Sequence, residues 1–194
     1  MEKRIGNAIR VIGAIVGICV VVHVVNVLTH GYLTRYGLVP RSYDHLIGIL
    51  THPFIHGSWG HLISNMMSFS VLAFLVSRSG LSRFFAIFAL CWAGSSLGTW
   101  IMGRESYHIG LSGIIYGLWG YLLVYAIMYR SLKSIVIAII VMFLYGSFVW
   151  GLFPLHEGVS YEGHIFGGLS GGVLGYLYAL KDKHHQTAVN KQVR

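Results

Sequence analysis

Charge is what this chain has least of. Only 10% of its 194 residues are charged, and six of those are acidic. A soluble domain carries roughly 25% charged residues, so most of the chain is excluded from water and belongs in lipid. The mean hydropathy of +0.67 agrees. Aspartate is scarcer still: Asp44 and Asp182 are the only two, and both lie outside the apolar stretches. That removes an intramembrane aspartyl pair, and the lack of any H-E-x-x-H stretch removes the usual helical zinc site of a metalloprotease. Cysteine is limited to Cys19 and Cys91, each inside a different apolar stretch, where a thiol acts as a small hydrophobe rather than as half of a disulfide.

What remains is apolar length. A helix needs about 20 mainly apolar residues to cross the hydrocarbon, and six segments approach that: Val11–Leu28, Leu62–Val76, Phe84–Met102, Leu111–Met128, Ile135–Leu152 and Gly163–Leu180. The reading is therefore all-α, a polytopic membrane protein of six transmembrane helices. The second is short and begins among histidines; the sixth is rich in glycine. No small-residue cleavage pattern follows the first segment in "NVLTHGYLTRYG", so it is read as a retained helix. Residues 1–183 form a single membrane domain in this reading, and 184–194 a short, polar, frayed cytoplasmic tail.

Orientation follows from the basic residues. With the N-terminus in the cytoplasm, Lys3, Arg4, Arg10, Arg78, Arg83, Arg130, Lys133, Lys181, Lys183, Lys191 and Arg194 lie inside, against Arg35, Arg41 and Arg104 outside. Eleven to three favours both termini in the cytoplasm. The net charge of +8 thus reports topology, not a nucleic-acid footprint.

In this topology the second, fourth and sixth helices all start at the outer face, and each carries polar residues near its start. "THPFIHGSWGHLISNMM" puts His61 and Asn65 four apart on one face; "GLSG" opens the fourth with Ser112; "EGHIFGG" puts His164 in the first turn of the sixth. Polar groups within a membrane are costly and face a bundle interior or a wet cavity, so four at one depth indicate one pocket. Serine with histidine supplies a nucleophile and its general base, and His61 and Asn65 supply donors for an oxyanion. The N–H of Ser112, at a helix start, adds another. Gly113, Gly117 and Gly120 line the fourth helix, while Gly163, Gly167, Gly171 and Gly175 recur every four residues on the sixth, spacing that lets two helices approach closely; if those faces meet, Ser112 and His164 come within reach of each other. Tyr116, one turn beyond Ser112, is positioned to pack on the His164 ring. With no aspartate at hand, a dyad is the expectation rather than a triad.

These residues resemble the rhomboid intramembrane serine proteases of the six-helix bacterial type. The resemblance rests on "GLSG", "HGSWGHLISN" and "GHIFGGLSGG", in that family's order, with 52 residues from Ser112 to His164. It implies a rhomboid-like bundle, with Ser112 as nucleophile, His164 as base, His61 and Asn65 in the oxyanion hole and Tyr116 stacked on His164. Gly110 and Gly113 would shape the serine's turn, and Gly167 and Gly171 the helix contact. It also implies a first loop partly embedded in the outer leaflet, and lateral gating by the fifth helix with the Phe153–Tyr161 loop. The Trp-Arg pair that many of these proteins carry in the first loop is missing, with Ile47 and Gly48 near its place. An acidic residue near the inner end of the second helix is replaced by Ser77. His52 and His56 are expected to hold the loop.

The activity implied is endopeptidase cleavage of transmembrane protein substrates near the outer face, in contact with membrane lipid, without cofactor, metal or nucleic acid. The implied location is a bacterial inner membrane. The alternatives are a catalytically inactive relative that binds membrane clients, and a six-helix transporter. His52, His56 and His61 as metal ligands would need a carboxylate that the spans lack. His23, His30, His45, His108 and His156 show no role in the sequence, and neither substrate identity nor oligomeric state is legible there.

Overall fold

Long apolar runs with few breakers wind into helices, and the computed structural model, which describes residues 2–155 and 158–192, is built from them. His156 and Glu157, within the Phe153–Tyr161 loop, lie outside the described residues, as does Arg194 among the inner cations. The long helices are α1 (Glu2–Leu28), α3 (Trp59–Ser77), α4 (Leu81–Met102), α5 (Ser112–Tyr129), α6 (Leu132–Tyr145) and α7 (Tyr161–Gln192). A four-residue helix, α2 (Gly48–Thr51), and 3-10 turns at Tyr32–Tyr36 and His52–Phe54 fill the first loop. The described residues contain no strand, only an isolated antiparallel bridge between Leu38 and His108.

The six expected segments map onto α1, α3, α4, α5, α6 and α7, with two differences. The fifth is not one helix to Leu152: α6 ends at Tyr145, and Gly146–Leu152 winds as a 3-10 helix. The sixth runs on from Leu180 to Gln192, so the tail expected to fray continues the helix through those residues. Among the described residues five helical spans are long and apolar enough to cross a membrane, the fifth being α6 together with the 3-10 turn to Leu152; α7, with its many glycines, is not among them.

Helix α5 is the axis of the molecule. Every residue from Gly113 to Leu122 is buried, among Phe69 and Leu72 of α3, Phe84 and Ile87 of α4, and the glycine face of α7. Against α7 the backbones nearly touch: a Cβ on Gly167 would land on the carbonyl of Gly113, and one on Gly171 on that of Gly117. Small residues at four-residue spacing permit that approach. Helix α6 is the contrary case. It leans on α5 and scarcely reaches α3, and only Ser134 and Val141 of α6 are buried, against 61% of the α5 span.

The first loop is pinned to α4 by a tryptophan and an arginine from other positions. Trp92 Nε1 donates to the Ile49 carbonyl (3.0 Å), and Arg41 Nη1 donates to the carbonyl of Gly103 (2.8 Å). His52 Nε2 bonds to Ser96 Oγ at 2.9 Å, and His23 Nδ1 of α1 reaches the His56 carbonyl at 3.0 Å.

Candidate active site

Ser58 sets the first wall. Its side chain caps α3 by accepting the N–H of His61 at 3.1 Å, which fixes His61 in the first turn and Asn65 one turn on. Asn65 is buried, and its amide donates to the His61 carbonyl at 2.8 Å. An amide nitrogen carries a second N–H, which remains for the cavity.

The serine follows a glycine turn. Gly110 has φ +109°, a conformation that side chains resist, and its N–H donates to the His52 carbonyl at 2.9 Å. A Cβ there would sit 2.6 Å from His61 Nε2, so glycine is what lets the imidazole lie against the turn. Ser112 is the first residue of α5, where backbone N–H groups lack helical partners.

Helix α7 brings the histidine. His164 Nε2 lies 2.8 Å from Ser112 Oγ, and Nδ1 lies 2.8 Å from the carbonyl oxygen of Gly151. A carbonyl only accepts, so Nδ1 carries the ring proton and Nε2 is left bare to accept the serine O–H. Tyr116 stacks on the imidazole with centroids 4.0 Å apart and planes within 5°. Its hydroxyl donates to the Phe148 carbonyl at 2.9 Å, and the Phe148 ring stacks on its other side at 4.8 Å.

These groups share one open cavity of about 490 Å3, lined by His61, Asn65, Ser112, Tyr116, Phe148 and His164 among others. The structure therefore brings together every residue the sequence singled out: Ser112, His164, His61, Asn65 and Tyr116 around the cavity, Gly110 in the turn, and Gly113, Gly167 and Gly171 in the seam behind it. It adds what the sequence did not offer. The Gly146–Leu152 turn supplies two backbone carbonyls, from Phe148 and Gly151, that hold Tyr116 and His164. A Cβ on Gly151 would strike the Tyr116 hydroxyl. The apolar run reads in sequence as one helix through "WGLF" to Leu152, and nothing in those residues marks an acceptor. His108 is a second addition, its Nδ1 2.6 Å from Ser160 Oγ and its Nε2 3.0 Å from the Arg104 carbonyl.

Behind His61 the first loop keeps His52 and His56 neutral. Burial pushes His52 down to about 3, helped by nearby His108, and pushes His56 down to about 4, helped by His61, whose ring is 5.0 Å away. Among the described residues no group of three or more histidine, cysteine or acidic side chains could hold a metal ion.

A profile of the Rhomboid domain matches residues 43–181. The chain belongs to the rhomboid family. It is 34% identical over 177 residues to an uncharacterised protein of Mycobacterium tuberculosis, covering 87% of this chain and 74% of that protein. A provisionally named rhomboid protein of Acanthamoeba polyphaga mimivirus is 31% identical over 140 residues, 70% of this rhomboid and 77% of the viral protein. A provisionally named rhomboid protease of Bacillus subtilis is 26% identical over 140 residues, 69% of this chain and 67% of its own. Family and helices together make this rhomboid an integral, multi-pass membrane protein.

Proposed function

We propose that this rhomboid is an intramembrane serine endopeptidase that cuts transmembrane segments of membrane-protein substrates near the outer face, through a Ser112–His164 dyad and an acyl-enzyme. The observation that carries the reading is the run of bonds from Ser112 Oγ to His164 Nε2 (2.8 Å) and from His164 Nδ1 to the Gly151 carbonyl (2.8 Å). In it, His164 takes the proton of Ser112 as Oγ attacks the scissile carbonyl. The resulting oxyanion sits among the Ser112 N–H, His61 and Asn65. His164 then protonates the leaving amine, deprotonates a water in the cavity and so hydrolyses the ester. The Gly151 carbonyl and the Tyr116 stack hold the ring in the productive tautomer and stabilise the imidazolium, in place of a carboxylate.

Residues 1–183 act as one domain in this reading, with the glycine half of α7 as the sixth span and both termini in the cytoplasm, as the eleven-to-three division of basic residues favours. The mycobacterial and Bacillus relatives support a bacterial inner membrane.

The test is cleavage of a transmembrane reporter in liposomes, paired with labelling by a fluorophosphonate. Unmodified protein cuts and labels; Ser112→Ala and His164→Ala lose both. Asn65→Ala retains labelling and loses about 10²–10³ in rate, the usual cost of one oxyanion donor. A Ser112→Ala protein that still cuts refutes the mechanism. Folded unmodified protein that neither cuts nor labels would leave a client-binding relative without catalysis.

A further inference from the structure

Two serines on the cavity wall are hydrogen-bonded to histidines, and the dyad accounts for one of them. In the other pair, His108 Nε2 lies 3.0 Å from the Arg104 carbonyl oxygen and Nδ1 lies 2.6 Å from Ser160 Oγ. A carbonyl only accepts, so Nε2 carries the ring proton and bare Nδ1 accepts the Ser160 O–H. The direction of this bond is therefore fixed, and the histidine that makes it is buried.

The bond joins the two segments of chain that carry the dyad. His108 stands four residues before Ser112. Its backbone is held at both polar groups: the N–H donates to the Leu38 carbonyl at 2.8 Å, and the carbonyl accepts the Leu38 N–H at 3.0 Å. Ser160 is the residue before α7, and its carbonyl accepts the His164 N–H at 3.2 Å. Hydrogen bonds thus run from the strand of chain that enters the serine's turn, through His108 and Ser160, to the backbone of the base. The glycine contacts of Gly167 and Gly171 hold α7 only from one turn further on. Its first turn, where N–H groups lack helical partners and helices fray, needs a hold of its own. Arg104 also reaches that turn, with Nε 3.1 Å from Glu162 Oε1 and a guanidinium bond to the Val159 carbonyl. Its side chain is 42% exposed, however, and ion pairs open to solvent contribute little. The His108–Ser160 bond breaks only by leaving a buried imidazole nitrogen without a partner, which is the costlier loss.

We propose that His108 is a positioning residue for the proteolytic reaction: through Ser160 it fixes the first turn of α7, and so the placement of His164 against Ser112. The assignment rests on the Ser112–His164 reading, and in it neither His108 nor Ser160 exchanges a proton with the substrate.

The test measures kcat and KM for the transmembrane reporter in liposomes, with thermal unfolding, on the full chain. Ser160→Ala and His108→Ala each lower kcat about ten- to hundredfold, the range for a catalytic group displaced by up to an ångström, and leave KM unchanged. The double variant loses no more than either single one, because both remove the same bond. His108→Asn, whose amide oxygen accepts from Ser160 in place of Nδ1, recovers most of kcat. Tyr107→Phe removes a hydroxyl on the same loop that bonds His45 rather than α7, and leaves kcat as it was. A raised KM at unchanged kcat in Ser160→Ala would make Ser160 a substrate contact and overturn the assignment. Additive losses in the double variant, or equal kcat in His108→Asn and His108→Ala, would overturn it too. Fluorophosphonate labelling of Ser160 in the Ser112→Ala protein would make Ser160 a nucleophile, with the same result. Unmodified protein that neither cuts nor labels refutes the proteolytic reading and this assignment together, whereas active unmodified protein beside a fully active Ser160→Ala refutes the assignment alone. If His108→Ala does not fold, Ser160→Ala decides by the same kcat and KM criteria.

Discussion

The α5–α7 seam and the α6 flank are built on opposite plans. In the seam, glycine meets glycine and two backbones lie nearly in contact; Ser112 and His164 stand at one end of it, so their separation is set by that close packing. Along α6 almost nothing is buried, yet the 3-10 turn that ends this loose flank provides the carbonyl orienting His164. The Ser112–His164 distance is thus set by close helix packing, and the orientation of the His164 ring by a turn at the end of a little-buried flank.

Breaking the seam has the largest effect. Gly167→Ala and Gly171→Ala each force α5 and α7 apart, at about 1–3 kcal/mol from overpacking, so thermal unfolding in detergent shifts down and proteolysis is lost with it. Gly151→Ala sharpens the contrast: its Cβ meets the Tyr116 hydroxyl and displaces the turn, so turnover falls about 10²-fold, the order expected when a catalytic group moves by an ångström, while the unfolding temperature stays put.

The first loop distinguishes the regions by pH. His52 and His56 sit near 3 and 4 when folded, below the ordinary 6.5, so the unfolded loop binds protons more readily. Their stabilisation is complete above pH 6.5 and is lost as pH falls from there toward 4. Amide exchange, corrected for its intrinsic pH dependence, therefore rises in residues 48–57 at pH 5 relative to pH 7.5. It does not rise in the middle of the seam, where Gly117 and Gly171 meet and have nothing to titrate. The smallest effect is expected from Ile139→Ala on the open face of α6, within about 0.5 kcal/mol in the same unfolding assay.

Much of this was legible beforehand, for physical reasons. Lipid demands long apolar helices, so six segments could be marked; polar residues in them are expensive, so Ser112, His61, Asn65 and His164 stood out; and the four-residue glycine spacing declared which two helices touch. Illegible were features carried by backbone. The stop of α6 at Tyr145 has no proline to announce it, and the length of α7 depends on a polar half that hydropathy discards. The loop's anchors were hidden differently: the expected Trp-Arg pair is absent, and Trp92 and Arg41 do similar work from distant positions that pattern matching does not compare.

The carbonyl of Gly151 has one more consequence, which concerns genetics. Every residue specifies a carbonyl, so no codon change deletes this one. A substitution scan would register position 151 only through the bulk it adds, and would credit the effect to crowding. The group can be probed by chemistry instead: an ester in place of the amide between Gly151 and Leu152 weakens the acceptor while leaving all 194 side chains as they are.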